Sequence, residues 1–387
     1  MRKGWEYKKL GEVCEVVTGT TPKTNIPEYW GKGHYWVTPA ELNDTTVYID
    51  KTERQITDEA LSKTKLRLLP VGTVLLSSRA PIGKVAIANA EMYCNQGFKN
   101  CICSEAIYNK YLFYFLRLKK DYLNSLGRGA TFKEISKSIV ESIKIPLPPK
   151  STQLAIVSEL DKINELIRLK KEQLKDFDNL AQSLFYEMFG DPAENEKGWE
   201  VKKLGDISSI GTGSTPNRKN KDFYKNGTYP WVKSTEVCNL PIYSVEEYIT
   251  EEALKNSNCT LYPPNTILMA MYGQGKTRGQ IGLLKIEACT NQAVAAIMPT
   301  KEVVDEIFLS QHLMLMYEHI RNMARGGNQA NLNLSIVKSI QIFLPPLSLQ
   351  RLFAQRIEQI EREKSEVQKS IQDLETLLAS RMQYWFE

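Results

Sequence analysis

The sequence predicts a mixed α/β protein: two tandem α/β domains, with two long helices that pair as an antiparallel coiled coil. Three observations predict it. The chain repeats itself at an offset that drifts only from 194 to 197, far beyond solenoid periods. Each copy passes from a mixed strand and helix pattern into a heptad pattern after a Pro-Pro. With 42% apolar and 25% charged residues, the composition is that of a globular protein with room for two cores.

The elements follow in the same order in both copies. Gly4-Trp5-Glu6-Tyr7-Lys8-Lys9-Leu10-Gly11 returns as Gly198-Trp199-Glu200-Val201-Lys202-Lys203-Leu204-Gly205. Gly19-Thr20-Thr21-Pro22 matches Gly213-Ser214-Thr215-Pro216, Asn95-Gln96 matches Asn291-Gln292, and Pro148-Pro149 matches Pro345-Pro346. Apolar runs at 73–76 and 84–87, and their counterparts at 266–269 and 280–284, read as strands. An amphipathic helix is expected over 106–126 and over 302–323, then a short strand at 143–145 and 340–342. Segment boundaries fall at 1–149 (first domain), 150–190 (central helix), 191–346 (second domain) and 347–387 (C-terminal helix).

Ser151 and Ser348 follow the prolines and are expected as helix N-caps. The first seam is Ile156, Leu160, Ile163, Ile167, Lys170, Leu174, Phe177, Ala181, Leu184 and Met188. The second is Phe353, Ile357, Ile360, Lys364, Val367, Ile371, Leu374, Leu378, Arg381 and Trp385. Gly190 and Pro192 stop the first helix. Each helix is roughly 60 Å long at 1.5 Å per residue. A narrow seam favours pairing of the two helices over packing of each on its own domain alone. Antiparallel pairing is preferred because it relieves the crowding of two domains at one end.

Charge is uneven. Residues 1–149 carry 22 Lys/Arg against 15 Asp/Glu, a net +7, whereas residues 191–346 balance at 16 against 16. A basic first domain suits a polyanion; the neutral second domain cannot rest on charge. No run approaches the roughly 20 apolar residues of a membrane span, and the N-terminus lacks a signal-peptide pattern, so a cytoplasmic protein is expected. Seven scattered cysteines form no CxxC pair; buried thiols are expected, including Cys101 and Cys103 on one strand face.

Catalytic constellations are missing. His312 and His319 lie seven apart without metal-ligand spacing. Gly273-Gln274-Gly275-Lys276-Thr277 resembles the end of a P-loop, but Ala270 stands where that pattern needs its first glycine. Gly211-Thr212-Gly213 lacks the third glycine of a dinucleotide site, and Tyr262-Pro263-Pro264-Asn265 has the wrong order for an amino-methyltransferase tetrad. A non-catalytic chain is expected.

What remains are loops rich in glycine, basic, amide and hydroxyl residues, at matching places in both copies. The candidate DNA contacts in the first copy are Thr20, Thr21, Lys23, Ser78, Arg79, Lys84 and Arg128. Those in the second are Thr215, Asn217, Arg218, Lys219, Tyr272, Gln274, Lys276, Arg278, Asn328 and Gln329. Arg and Lys can donate to guanine O6/N7, and Asn and Gln to adenine N6/N7, while glycine lets the backbone approach phosphates. Two loops that keep a Gly/Lys frame and change what lies between suit two readers of different sequences. Trp36 and Trp231 are expected as core residues beside these loops.

In this layout the chain resembles the specificity subunit of type I restriction-modification systems. The resemblance rests on the Gly-Trp-Glu-x-Lys-Lys-Leu-Gly openings, the Gly-x-Thr-Pro segments, the run from Pro70 to Lys84, Asn95-Gln96-Gly97, and Ile145-Pro146-Leu147-Pro148-Pro149 leading into a helix with Gln153. It implies two target recognition domains, each reading half of a bipartite, asymmetric site in double-stranded DNA, and an antiparallel coiled coil that spaces the half-sites. It also implies two methyltransferase (modification) subunits docked on the coiled coil, with restriction (motor-nuclease) subunits joining for cleavage. No cofactor is then bound by this chain: S-adenosylmethionine belongs to the methyltransferase, and ATP and Mg2+ to the restriction subunit. Met271-Tyr272-Gly273-Gln274 departs from Ser78-Arg79-Ala80-Pro81 of the first copy, so base contacts do not transfer residue by residue. The alternatives are a stand-alone sequence-specific DNA-binding protein and a coiled-coil scaffold with lectin-like domains.

Overall fold

The computed structural model describes residues 5–79, 81–128, 133–273, 275–324 and 331–387. They form two compact units, the first assembled from two stretches of chain and the second from one. One unit comprises residues 1–171 with 369–387, the other residues 172–368. The unit boundaries therefore fall inside the two long helices rather than at their ends.

Both units contain the same three sheets. In the first, a five-stranded sheet runs Cys14–Thr18, Lys99–Cys103, Val74–Leu76, Val85–Ala88, Tyr48–Ile49. In the second, the same spatial order is Ser208–Thr212, Val294–Pro299, Ile267–Ala270, Ile281–Leu284, Leu240–Ile242. A three-stranded sheet is centred on Trp30–Val37 in one unit and Tyr229–Val232 in the other. A two-stranded antiparallel ribbon joins the opening of each copy to its last strand, with Glu6 opposite Leu147 and Glu200 opposite Leu344. The ribbon explains why the lysine-rich openings recur: they hold the strand that delivers the chain to Pro-Pro.

The amphipathic stretches are each broken in two. Asn109–Leu118 and Lys120–Leu126 are separate helices, as are Glu306–Leu315 and Tyr317–Asn322. The break falls where Lys119 (ψ 14°) and Met316 (ψ 8°) leave helical geometry for the bridge region. His312 and His319 consequently stand on different helices. Expected strands appear one residue later than their apolar runs, as at Val74–Leu76 and Lys144–Leu147.

The long helices span Lys150–Phe189 and Leu347–Phe386. Ser151 and Ser348 are not their N-caps; both lie within the first turn. The helix starts are tied down by Gln153 and Gln350 instead, both fully buried. Gln153 Nε2 donates to the carbonyls of Pro148 (2.9 Å) and Ala106 (3.0 Å), and its Oε1 accepts from the Tyr108 N–H (2.8 Å). Gln350 does the same with the Pro345 carbonyl (2.8 Å) and the Asp305 N–H (3.0 Å). Each buried amide uses both its donor and its acceptor on backbone groups outside the helix, and so fastens the helix start to the segment before it and to the chain near residues 106–108 or 305.

The helices pair antiparallel within each unit. In the first, Arg381 and Trp385 donate to Glu159 and Lys171 bonds to Glu375 (2.8 Å), so one helix advances as the other recedes. In the second, Lys364 bonds to Asp178 (2.8 Å), and Phe353 packs on Phe185 and Phe189 at 5.5 and 5.2 Å between ring centroids. Ile156, Leu160, Ile163, Ile167, Ile357, Ile360, Val367 and Ile371 are buried as the seams predict. Leu174, Phe177, Leu184, Leu374 and Leu378 are half-buried. The seam also yields to the domains at its ends. Phe185 and Phe189, outside the expected seam, are fully buried with Phe308, Phe343 and Phe353, and Phe386 enters the first core beside Tyr111 and Phe115. Each helix thus begins on its own domain and ends in the core of the other unit.

Cys14, Cys94, Cys101 and Cys289 are buried as expected; Cys103 and Cys259 are half-buried and Cys238 is exposed. No helix among the described residues is long and apolar enough to cross a membrane.

Candidate nucleic-acid interface

Each unit gathers loops that are far apart in sequence. Glycine at the start of the Gly-x-Thr-Pro loop is dictated by close approach. A Cβ on Gly19 would stand 1.9 Å from the Asn95 carbonyl oxygen, and one on Gly213 would stand 1.8 Å from that of Thr290. The loop is stitched down on both sides. Thr20 N–H donates to the Cys94 carbonyl (2.9 Å) and Ser214 N–H to that of Thr290 (3.0 Å). The indole N–H of Trp36 reaches the Thr20 carbonyl (3.2 Å), and that of Trp231 reaches Ser214 (3.0 Å). Both tryptophans are buried, in keeping with a core role beside the loops. Thr21 Oγ1 then donates to Gln96 Oε1, and Thr215 Oγ1 to Gln292 Oε1.

A second loop joins from the other side. Ser78 N–H donates to the Gly97 carbonyl (2.7 Å) and Ile135 N–H to that of Ser78 (3.0 Å). Met271 makes the matching pair with Ala293 (2.8 Å) and Leu332 (3.1 Å). Gly83 (φ 88°) and Gly279 (φ 87°) close these loops in a backbone conformation that side chains disfavour. Their amides donate to Ser77 (3.0 Å) and Ala270 (2.8 Å).

On this common frame the first unit carries an ion network. Lys99, only 5% exposed, donates to Glu134 (3.0 Å) and to Ser78 Oγ (3.3 Å), and Arg79 meets the same carboxylate at 3.1 Å. Burial pulls the Glu134 carboxyl upward, but the Lys99 hydrogen bond and the Lys99 and Arg79 charges prevail and hold it below the usual range. Arg128 is exposed and pairs its backbone with Glu134 in both directions (3.0 Å). The sequence candidates Thr20, Thr21, Ser78, Arg79 and Arg128 are therefore brought together. Ser78 is fully buried within that cluster, so its hydroxyl serves Lys99 rather than the surface. Lys84 is half-buried and caps the Pro39 carbonyl (3.2 Å), whereas Lys23 is exposed.

The second unit differs. Arg218 is held by both oxygens of Glu247 (2.7 and 3.2 Å) and lies over Tyr224 and Trp231, 4.5 and 4.8 Å from the ring centroids. Those contacts bind this candidate within its own domain, and the Glu247 hydrogen bonds raise its pKa. Asn217 accepts from Lys219 N–H (3.0 Å), and both residues are exposed. Tyr272 and Lys276 are exposed and Arg278 half-buried. Arg321 donates to the Gly275 carbonyl (2.7 Å) and Tyr317 to that of Lys276 (2.5 Å), fastening the loop from the helix behind it. Gln274, Asn328 and Gln329 lie outside the described residues.

Two features escaped the sequence reading. Arg54 lies 3.7 Å from the Trp30 ring centroid and 5.4 Å from that of Trp36, covering in the first unit what Arg218 covers in the second. The two arginines come from different loops, so no repeat position could pair them. Gln96 and Gln292 were visible only as repeat markers. His312 is fully enclosed by phenylalanines, and burial pushes its pKa down to about 3, so it is a neutral core residue. Among the described residues, no group of three His, Cys, Asp or Glu is placed to hold a metal ion.

A family model described as the type I restriction modification DNA specificity domain matches residues 2–176 and again residues 196–376. The chain is 31% identical over 369 residues to the type I restriction enzyme MjaIX specificity subunit of Methanocaldococcus jannaschii, covering 91% of this chain and 85% of that one. It is 24% identical over 408 residues to the MjaVIII specificity subunit of the same organism, covering 97% and 92%. Among solved structures, one described as the basis of complex assembly and conformational transition of the type I R-M system matches with TM-score 0.67 at 19% identity, covering 99% and 97%. The type I restriction-modification S subunit from M. genitalium matches with TM-score 0.58 at 16% identity, covering 100% and 98%. At those identities the two structures share the fold.

Proposed function

From the chain's membership of the type I restriction modification DNA specificity family, we propose that it is the non-catalytic recognition subunit of a DNA-modifying complex. Each unit reads one half of a bipartite site in double-stranded DNA. The observation that carries this reading is the duplicated loop frame: the same glycines, tryptophan and threonine–glutamine contact in both units, bearing different exposed side chains. Lys23, Arg79 and Arg128 serve the first half-site and Lys219, Tyr272 and Lys276 the second. Cations and amides at such loop tips address phosphates and the acceptor edges of bases.

The helix pair sets the spacing. Half-sites read from one face lie about 34 Å apart, one helical turn, within the reach of a roughly 60 Å helix. The exposed flanks of the pair dock two methyltransferase subunits, which bring S-adenosylmethionine and methylate one adenine in each half-site. Since a base inside a duplex must be flipped out for that chemistry, this chain's task is to hold the DNA in register. Restriction subunits, with their ATP and Mg2+, join the same assembly for cleavage.

The test is methylome sequencing of cells with and without the gene. N6-methyladenine is expected to vanish from one bipartite motif when the gene is deleted. Loss of a motif that is not bipartite, or no loss at all, would sink the reading.

A further inference from the structure

The loops of the two units differ around one exposed polar contact that is the same in both. Thr21 donates to Gln96 and Thr215 to Gln292, each at the tip of a turn held by an asparagine. Asn95 Oδ1 accepts from Gly97 N–H (2.9 Å), and Asn291 Oδ1 from Ala293 N–H (3.1 Å). Both glutamines are exposed. The variable loops flank them directly: Gly97 is bonded to Ser78, next to Arg79, and Ala293 to Met271, next to Tyr272. The threonine hydroxyl occupies Oε1 and so orients the amide. The Nε2 group is left with two N–H donors and no protein partner among the described residues.

A contact identical in both units cannot tell one half-site from the other. What two different half-sites share is the sugar–phosphate backbone, whose phosphate oxygens only accept hydrogen bonds. We infer that Gln96 and Gln292 are positioning contacts to DNA phosphate, one per half-site, each aimed by its threonine. This rests on the proposed DNA-reading role, and it assigns the shared pair to register while leaving discrimination to the flanking loops.

Gln96→Glu and Gln292→Glu test it. Glutamate keeps the oxygen that accepts from threonine, so the turn stays pinned, but replaces the donor with a charge that repels phosphate. The full chain is purified with its methyltransferase subunits, and binding is measured to a duplex carrying its own site and to one with scrambled half-sites. Each substitution is expected to weaken both duplexes by the same factor, about tenfold or more, with the Tm and the methylated motif unchanged. Gln96→Ala should weaken binding similarly, showing that loss of the donor suffices. Unchanged binding by the glutamate variants would make the pair a structural staple only. A relaxed or altered motif at one half-site would make the glutamine a base reader. Either outcome overturns the inference. Failure of the wild-type complex to prefer its own duplex over the scrambled one would instead sink the DNA-reading role itself.

Discussion

Arg381 donates to the carboxylate of Glu159 (Nη2 to Oε2, 3.1 Å) across 222 residues of sequence, and the indole of Trp385 donates to the same oxygen (2.9 Å). The contact ties the last turns of the C-terminal helix to the beginning of the central one. The Arg381 hydrogen bond is the largest influence on the Glu159 carboxyl and holds it below its usual range, with burial opposing. A depressed carboxylate stabilises the fold above its unfolded pKa, about 4.3, and that stability is lost as pH falls through the lower folded value. Glu159→Gln should therefore lower the Tm by roughly 2–4 °C at pH 7. The difference from wild type should close below pH 4 in thermal melts taken across that range. A gap that persists in acid would assign the effect to packing.

Phe185 belongs to the central helix by sequence and to the second unit's core by contact, stacked on Phe308 and edge-on to Phe353 and His312. Phe185→Ala should cost about 3–5 kcal/mol. Urea unfolding measures the loss. Hydrogen exchange should locate it in residues 196–346, with amides of the first sheet keeping their protection. Equal loss of protection in both units would argue against separate cores.

Gly19 and Gly213 leave no room for a methyl group against the Asn95 and Thr290 carbonyls. Gly19→Ala should push the first loop off its frame and abolish methylation that depends on the first half-site, and Gly213→Ala should do so through the second. Each variant is expected to bind a duplex bearing only the other half-site as wild type does. Wild-type methylation by either would show that the loop tolerates displacement.

Four residues inserted into both long helices at facing positions should lengthen the preferred spacer between half-sites, with each half-site sequence retained. Methylome sequencing of cells carrying the insertion reads both at once. An unchanged motif would count against the helix pair as a ruler.

Much of the scaffold was legible because its causes are local or repeated. The heptad seam, the Pro-Pro boundary and the duplicated openings announce helices, breaks and ribbons through spacing alone. The candidate contacts were legible only as loops. Ser78 looked like a surface hydroxyl because its sequence neighbours are polar, but backbone bonds to Gly97 and Ile135 draw it inside. Arg218 looked free because its carboxylate, Glu247, is 29 residues away. Ser151 and Ser348 looked like caps because nothing in the chain says that Gln153 and Gln350 are buried.

By itself, then, the sequence determined that there are two copies, two rods and a basic first domain, all properties of composition and period. Tertiary structure alone decided that each rod ends in the other unit's core, and which polar loop residues are spent on internal contacts. The reason is physical: a period records which residues share a face, whereas burial and hydrogen-bond partners depend on chain segments that meet only after folding.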